Sequence, residues 1–301
     1  MNTEKKYRGI VIPAVTPLTQ EHRLDHEAIE KMFIHFYKCN ASPFILGTTG
    51  ESASLSMALK KQYIKKAQSL KQNDTLLYAG ISSNCFEESV ELAEFCFNTG
   101  VDAVAATLPA YYAMTVSQMK KYFEQLADAV RGPLIIYNIP ATIHMSIPLE
   151  LIDELSHHEN IVATKDSERS DERLQQSLAL WSHRNDFSHF LGWAARSAVA
   201  LIGGSDGLIP STGNLDAKLY EDMFNAIKAN DHDTAFQLQH RSDELGNLYQ
   251  QGRTLGESLS ALKILMAKEN LCKEFVMPPL QSLPEKDKNN IINQYKELLN
   301  G

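Results

Sequence analysis

Eight short apolar blocks, each closing on a small or polar residue and separated from the next by a longer stretch, constrain the fold of this chain more than any other feature. They occupy residues 9–16, 43–49, 76–82, 102–109, 133–138, 161–166, 187–193 and 207–212. In the intervening segment 25–39, Ile29, Met32, Phe33 and Phe36 fall at i, i+3, i+4 and i+7, which places one apolar stripe on a helix, and 87–98 reads the same way. Parallel strands in one sheet need crossover helices of a fixed hand, and eight such units close on themselves. The predicted fold class is α/β, a (β/α)8 TIM barrel, in preference to an open sheet.

After Asn214 the pattern is helix only, over 218–230, 233–251, 258–268 and 287–299, with Met277-Pro278-Pro279-Leu280 breaking the run before the last. A length of 301 residues suits two ordinary domains, but a barrel with a helical appendage fills it equally well. The predicted organisation is a barrel over 1–215 and a C-terminal helical region over 216–301. That region either covers the barrel or makes a subunit contact. The apolar stripe Leu259, Leu262, Leu265 and Met266 suits either role.

Several function classes are excluded or disfavoured. With 29 Lys and Arg against 37 Asp and Glu, the net charge is −8 and no basic block occurs, which argues against nucleic acid or an anionic membrane as partner. Cys39, Cys85, Cys96 and Cys272 lack the CxxC spacing of a zinc site or a disulfide framework. Residues 1–6 are polar, no apolar stretch of signal-peptide type follows, and no run approaches the ~20 residues of a membrane span. A cytoplasmic location is expected.

In a parallel barrel the chemistry sits at the C-terminal ends of the strands. Those ends read Thr48-Thr49-Gly50-Glu51, Pro109-Ala110-Tyr111-Tyr112, Tyr137-Asn138-Ile139-Pro140, Lys165-Asp166-Ser167, Gly192 and Pro210-Ser211-Thr212. They supply one amine, phenols, hydroxyls and backbone donors, and no His and carboxylate cluster that would hold a metal. Lys165 is a candidate nucleophile. At an ordinary pKa near 10.4 only about one amine in 2,500 is neutral at pH 7, whereas a desolvated amine shifted to ~7–8 is substantially reactive. A lysine paired with Asp166 or reaching to water is the plainer alternative.

Gly47-Thr48-Thr49-Gly50-Glu51 follows an apolar block and precedes the helix-like 54–70, so its N–H groups and hydroxyls suit an anion such as a carboxylate. It lacks the GK[ST] of a nucleotide loop, and an ordinary turn and N-cap would have the same composition. Tyr137 suits a proton relay or a core position, and Tyr111 and Tyr112 share that ambiguity. His22 with His26, and His157 with His158, have no third ligand in view and read as solvated positions.

Together these residues resemble the dihydrodipicolinate synthase / N-acetylneuraminate lyase family of class I pyruvate aldolases. The resemblance spans nearly the whole chain and rests on GTTGES at 47–52, YNIP at 137–140 and Lys165 at the end of the next block. It implies that Lys165 forms an imine with a 2-oxo acid, that Thr48 and Thr49 bind its carboxylate, and that Tyr137 relays protons. Gly192 and Ile209 are further candidate substrate-binding residues, Ser167 and Ser211 are available as hydroxyl partners for a short polyol chain, and the covalent imine replaces any cofactor or metal. A tyrosine at 111, or at the adjoining 112, completes the relay across a subunit interface, and a homo-oligomer, often a tetramer, is the implied assembly.

The departures bear on the substrate. The synthases carry an arginine where Thr142 stands, and a lost charged hydrogen bond is worth ~1.5–3 kcal/mol, which disfavours dihydrodipicolinate synthesis. The sialate lyases carry acidic residues where this chain reads Trp193-Ala194-Ala195. His144 stands where the family commonly has glycine. With both familiar specificity sets broken, the expected activity is an aldolase or dehydratase acting on a 2-keto-3-deoxy sugar acid or related small 2-oxo acid. The alternatives are a dihydrodipicolinate synthase that holds its second carboxylate through another residue such as His144, and a non-catalytic 2-oxo-acid-binding or regulatory protein.

Overall fold

A computed structural model describes residues 5–72 and 74–300; residues 1–4, part of the polar opening, lie outside the described residues. Eight parallel strands form one closed barrel in sequence order, with β8 returning to β1. They are β1 (Gly9–Pro13), β2 (Ser42–Ile45), β3 (Tyr78–Gly80), β4 (Ala103–Ala106), β5 (Leu134–Asn138), β6 (Ile161–Asp166), β7 (Ser188–Leu191) and β8 (Gly207–Leu208). Seven lie within their predicted blocks and β2 begins one residue ahead of its block, at Ser42; the residues left over after the strands enter the loops of the C-terminal face.

The outer layer contains α1 (His26–Tyr37), α2 (Met57–Leu70), α3 (Phe86–Thr99), α4 (Val116–Val130), α5 (Pro140–Ile143), α6 (Leu149–Leu155), α7 (Asp171–Trp181) and α8 (Ser197–Ile202). The predicted helix over 54–70 is divided. Ser52–Ser54 is a single tight turn, Leu55 is extended, and α2 starts only where the Ser56 hydroxyl accepts the Leu59 N–H at 3.2 Å. After β8 come α9 (Ala217–Lys228), α10 (His232–Gln250), α11 (Leu255–Lys268) and α12 (Glu285–Asn300). α9 packs against β1 and α8, so it completes the barrel's helical layer, and a boundary at 215/216 falls on the near side of a helix that belongs to the barrel. α10 lies across α8 and α9, and α11 and α12 pack on α10.

The side-chain period of two divides the core. Val11, Phe44, Tyr78, Ala103, Ala105, Ile135, Ala163, Phe190 and Ile209 fill the barrel interior, and the intervening residues join the larger cluster between strands and helices. Tyr7 belongs to the interior cluster, and Lys5 pairs with Asp206 at 2.8 Å. The four cysteines are free; Cys39, Cys96 and Cys272 are buried and Cys85 is exposed. Among the described residues no helix is long and apolar enough to cross a membrane.

Candidate active site

Strand geometry puts Lys165 where an amine loses its water. Ala163 faces the barrel interior, so Lys165, two residues on, faces the same way at the strand's C-terminal end. β5 and β6 pair Tyr137 with Lys165, and β6 and β7 pair Lys165 with Phe190. Lys165 is 4% exposed, with Nζ 3.9 Å from the centre of the Tyr137 ring and 5.0 Å from that of Phe44. Burial pushes the Lys165 pKa down, and the neighbouring Tyr137 phenol opposes the shift without cancelling it. Desolvation thus raises the neutral, nucleophilic fraction.

The pairing with Asp166 that would have made Lys165 structural does not form. Asp166 accepts Arg173 Nε at 2.7 Å, Asn138 Nδ2 at 3.2 Å and the Glu168 N–H at 2.9 Å. Arg173 also donates to Ile147 O at 2.8 Å, so the strand end and the turn after YNIP are held together by one guanidinium. Nothing in the spacing of the sequence points to Arg173 as a partner seven residues beyond Asp166.

The Gly47–Glu51 loop closes the second side of the group. Leu46 and Glu51 are left-handed, with φ of 57° and 58°, and between them the Gly50 N–H bonds Gly47 O and the Glu51 N–H bonds Thr48 O. The Thr16 hydroxyl holds Gly50 O at 2.6 Å. β3 passes so close that a Cβ at Gly80 would stand 2.1 Å from Leu46 O, a contact that glycine alone accommodates. The outcome is a fixed Thr48, whose Oγ1 lies 3.2 Å from the Tyr137 hydroxyl, while Thr49 is buried beside it in sequence. Phe44, Thr48, Tyr137 and Thr142 line a common cavity of about 560 Å³.

The other predicted residues are spread more widely. Ser167 and Gly192 approach closely, since a Cβ at Gly192 would meet the Ser167 hydroxyl at 2.1 Å. Ile209 is buried in the barrel interior, and Ser211 Oγ lies 2.7 Å from the Tyr249 hydroxyl of α10. Tyr111 and Tyr112 are 78% and 76% exposed and stand edge to face, 4.9 Å apart. Asn84 Oδ1 holds the Ala110 and Tyr111 N–H groups, and neither ring joins the buried group around Lys165 in this chain. Trp193 packs under the Arg196 guanidinium at 4.8 Å, and Arg196 pairs with Asp171. His144 is exposed in the left-handed region at φ 56°, which accounts for glycine being the residue more commonly expected there. Among the described residues no three or more His, Cys, Asp or Glu side chains converge to hold a metal ion.

Fold and site together define a (β/α)8 barrel that presents a desolvated amine beside a phenol at its strand ends. The Dihydrodipicolinate synthetase family matches residues 6–298, and the chain belongs to that family, as one of its lyases. It is 27% identical over 299 residues to the 4-hydroxy-tetrahydrodipicolinate synthase of Chlorobium phaeobacteroides, covering 98% of each chain. The dihydrodipicolinate synthase of Bacteroides thetaiotaomicron superposes with a TM-score of 0.91 at 26% identity, over 97% of this chain and 99% of that one. A Ruminococcus gnavus sialic acid aldolase shares the fold with a TM-score of 0.90 at 21% identity, over 100% and 98% of the two chains.

Proposed function

We propose that this protein is a Schiff-base-forming aldolase or dehydratase acting on a 2-keto-3-deoxy sugar acid or a related small 2-oxo acid, with pyruvate as product or co-substrate. The observation that carries the reading is the buried Lys165 amine on the face of Tyr137, whose hydroxyl is in turn linked to Thr48. In this reading the neutral amine adds to the C2 carbonyl, and loss of water gives a protonated imine. For cleavage, a base removes the C4 hydroxyl proton, the C3–C4 bonding pair moves into a C2–C3 double bond, and the iminium nitrogen takes up the displaced pair. C4 leaves as an aldehyde carbonyl, and protonation at C3 followed by hydrolysis returns pyruvate and the free amine. The cationic nitrogen is the electron sink, so the reading requires no metal or cofactor.

Tyr137 is assigned the proton relay and the Thr48-Thr49 loop the carboxylate, through the Thr48 and Thr49 hydroxyls and N–H groups, since the turn itself takes up the Gly50 and Glu51 N–H groups. Gly192, Ile209, Ser167 and Ser211 are assigned to the remainder of the substrate. Tyr111, too exposed to serve its own chain, is assigned to the relay of a second copy, which makes the active form at least a dimer in the cytoplasm.

The synthase reading draws on the named relatives, but the residues favour it less. Thr142 bonds the Ile139 carbonyl at 3.2 Å and carries no charge, and His144 lies exposed in a left-handed turn. Sodium borohydride added with pyruvate, followed by mass spectrometry, tests the imine: a pyruvate-derived mass on Lys165 is expected, and none in Lys165→Ala. A pyruvate-release screen over four- to six-carbon 2-keto-3-deoxy acids then identifies the substrate. Labelling without release of any acid points to synthase, dehydratase or binding protein, and no labelling at saturating pyruvate overturns the reading.

A further inference from the structure

Glu51, the last residue of the Gly47–Glu51 loop, reaches a lysine from the far end of the chain. It forms an ion pair with Lys263 of α11, and both side chains are 0% exposed. Its second carboxylate oxygen accepts the Met277 N–H at 2.6 Å, and the Lys263 ammonium donates to Phe275 O at 2.7 Å. Two charges stripped of water are costly unless paired and hydrogen-bonded, and here each is both. Glu51 also holds a left-handed backbone, which is sterically unfavourable for a residue with a Cβ and persists only where its surroundings fix it. The surroundings are α11 and the 275–277 segment, and α11 also lends Leu255 and Leu259 to the wall of the cavity that Thr48 and Tyr137 line.

We propose that Glu51 and Lys263 are positioning residues for the anion-binding loop. They clamp its C-terminal end from below, while Thr16 holds Gly50 and the close pass of Gly80 shapes its start. The clamp keeps Thr48 at 3.2 Å from the Tyr137 hydroxyl and keeps the loop N–H groups pre-aimed, so the helical region sets the affinity of the site for the carboxylate of a 2-oxo acid. The carboxylate part rests on the function proposed above, whereas the clamp itself does not.

The test uses the full chain with Glu51→Gln, Lys263→Met and the double variant, in which both charges are gone and no orphaned ion remains to prevent folding. Hydrogen exchange is read on peptides covering 46–55 and on peptides covering β5 and β6. The variants are expected to exchange roughly tenfold faster at 46–55, with β5 and β6 unchanged. In borohydride labelling, the pyruvate concentration giving half-maximal modification of Lys165 should rise about 10- to 100-fold, with full modification still reached at saturation. A tie that merely anchors α11 would leave both readouts where they are. Wild-type exchange at 46–55 in a folded variant, or an unchanged half-saturating concentration, overturns the inference. Absence of labelling in the unaltered protein overturns the imine reading instead, and the exchange result then decides the clamp alone.

Discussion

Tyr137 and Lys165 stand opposite each other on neighbouring strands, and the lysine nitrogen lies 3.9 Å from the centre of the tyrosine ring. The ring face is an attractive place for a cation, worth about 2 kcal/mol where water is excluded, yet burial drives the same nitrogen toward its neutral form. The opposed effects keep the amine close to a proton donor without fixing the proton on it. The phenol oxygen, meanwhile, is bonded to Thr48 as well as interacting with the lysine.

Tyr137→Phe separates the ring from its hydroxyl. The ring stays packed edge-on against Phe44, 6.4 Å between centroids, so stability should change by less than about 1 kcal/mol. Loss of the relay should slow imine formation by roughly 10²- to 10⁴-fold while leaving the final extent of labelling intact. Single-turnover trapping with borohydride at timed intervals measures this, and an unchanged rate would show that Tyr137 moves no proton.

Lys165→Met should stabilise the protein, and by an amount that depends on pH. The folded-state pKa of Lys165 lies below the ordinary 10.5, so the unfolded chain binds more protons throughout the interval between the two values. The destabilisation is therefore fully present below the folded pKa and disappears as pH rises past the unfolded one. A gain of about 0.5–2 kcal/mol near neutrality, shrinking toward pH 10.5, is expected from urea unfolding of both proteins. A gain that grew with pH would contradict a desolvated ammonium.

His189 makes an independent prediction away from the site. It is fully buried on β7 with Nδ1 3.0 Å from Ser205 Oγ, and burial lowers its pKa to about 3 from 6.5. Folded His189 stays neutral between those values while the unfolded imidazole takes a proton, so stability falls as pH drops through that window. His189→Gln, which keeps a polar partner for Ser205, should flatten the stability profile between pH 3 and 6.5 by up to ~1.4 kcal/mol per pH unit. Urea midpoints across the window report the slope, and parallel profiles for the two proteins would sink the assignment.

What the sequence discloses follows from how local each signal is. The eight strands were legible because each falls in a short apolar block that closes on a small or polar residue, and Lys165 was legible because it stands near the end of such a block, after Ile161-Val162-Ala163-Thr164. The family resemblance was legible because GTTGES and YNIP are continuous stretches. Glu51 with Lys263 left no such trace because it joins segments whose proximity exists only after the barrel closes, and Asp166 with Arg173 left none because the turn from β6 into α7 that brings them together has no periodic signal. The split of the 54–70 helix was illegible for the opposite reason, since Ser56 and Ser54 are both competent N-caps and tertiary packing of Leu55 selects between them. The place of α9 was hidden too, because an amphipathic helix does not declare which neighbour its stripe meets.

Arg173 carries the last prediction, since it stands between two carboxylates. Its Nε lies 2.7 Å from Asp166 and 3.4 Å from Glu168, and the Asp166 carboxyl is buried. Arg173→Met leaves Asp166 without its cation and frees Ile147 O, so a loss of about 3–5 kcal/mol is expected, as for other broken buried pairs. Asp166→Asn combined with Arg173→Met removes both charges and should recover a large part of that loss. The turn over 139–147, which carries Thr142 and His144, is held to β6 chiefly through this guanidinium, Glu168 and Asn138. Activity of the double variant on the acid found by the release screen should therefore fall through a higher KM, with labelling of Lys165 by pyruvate nearly unchanged. Equal stability of single and double variants would mean that Asp166 is content without a cation, and would remove the guanidinium from the account of how the turn is held.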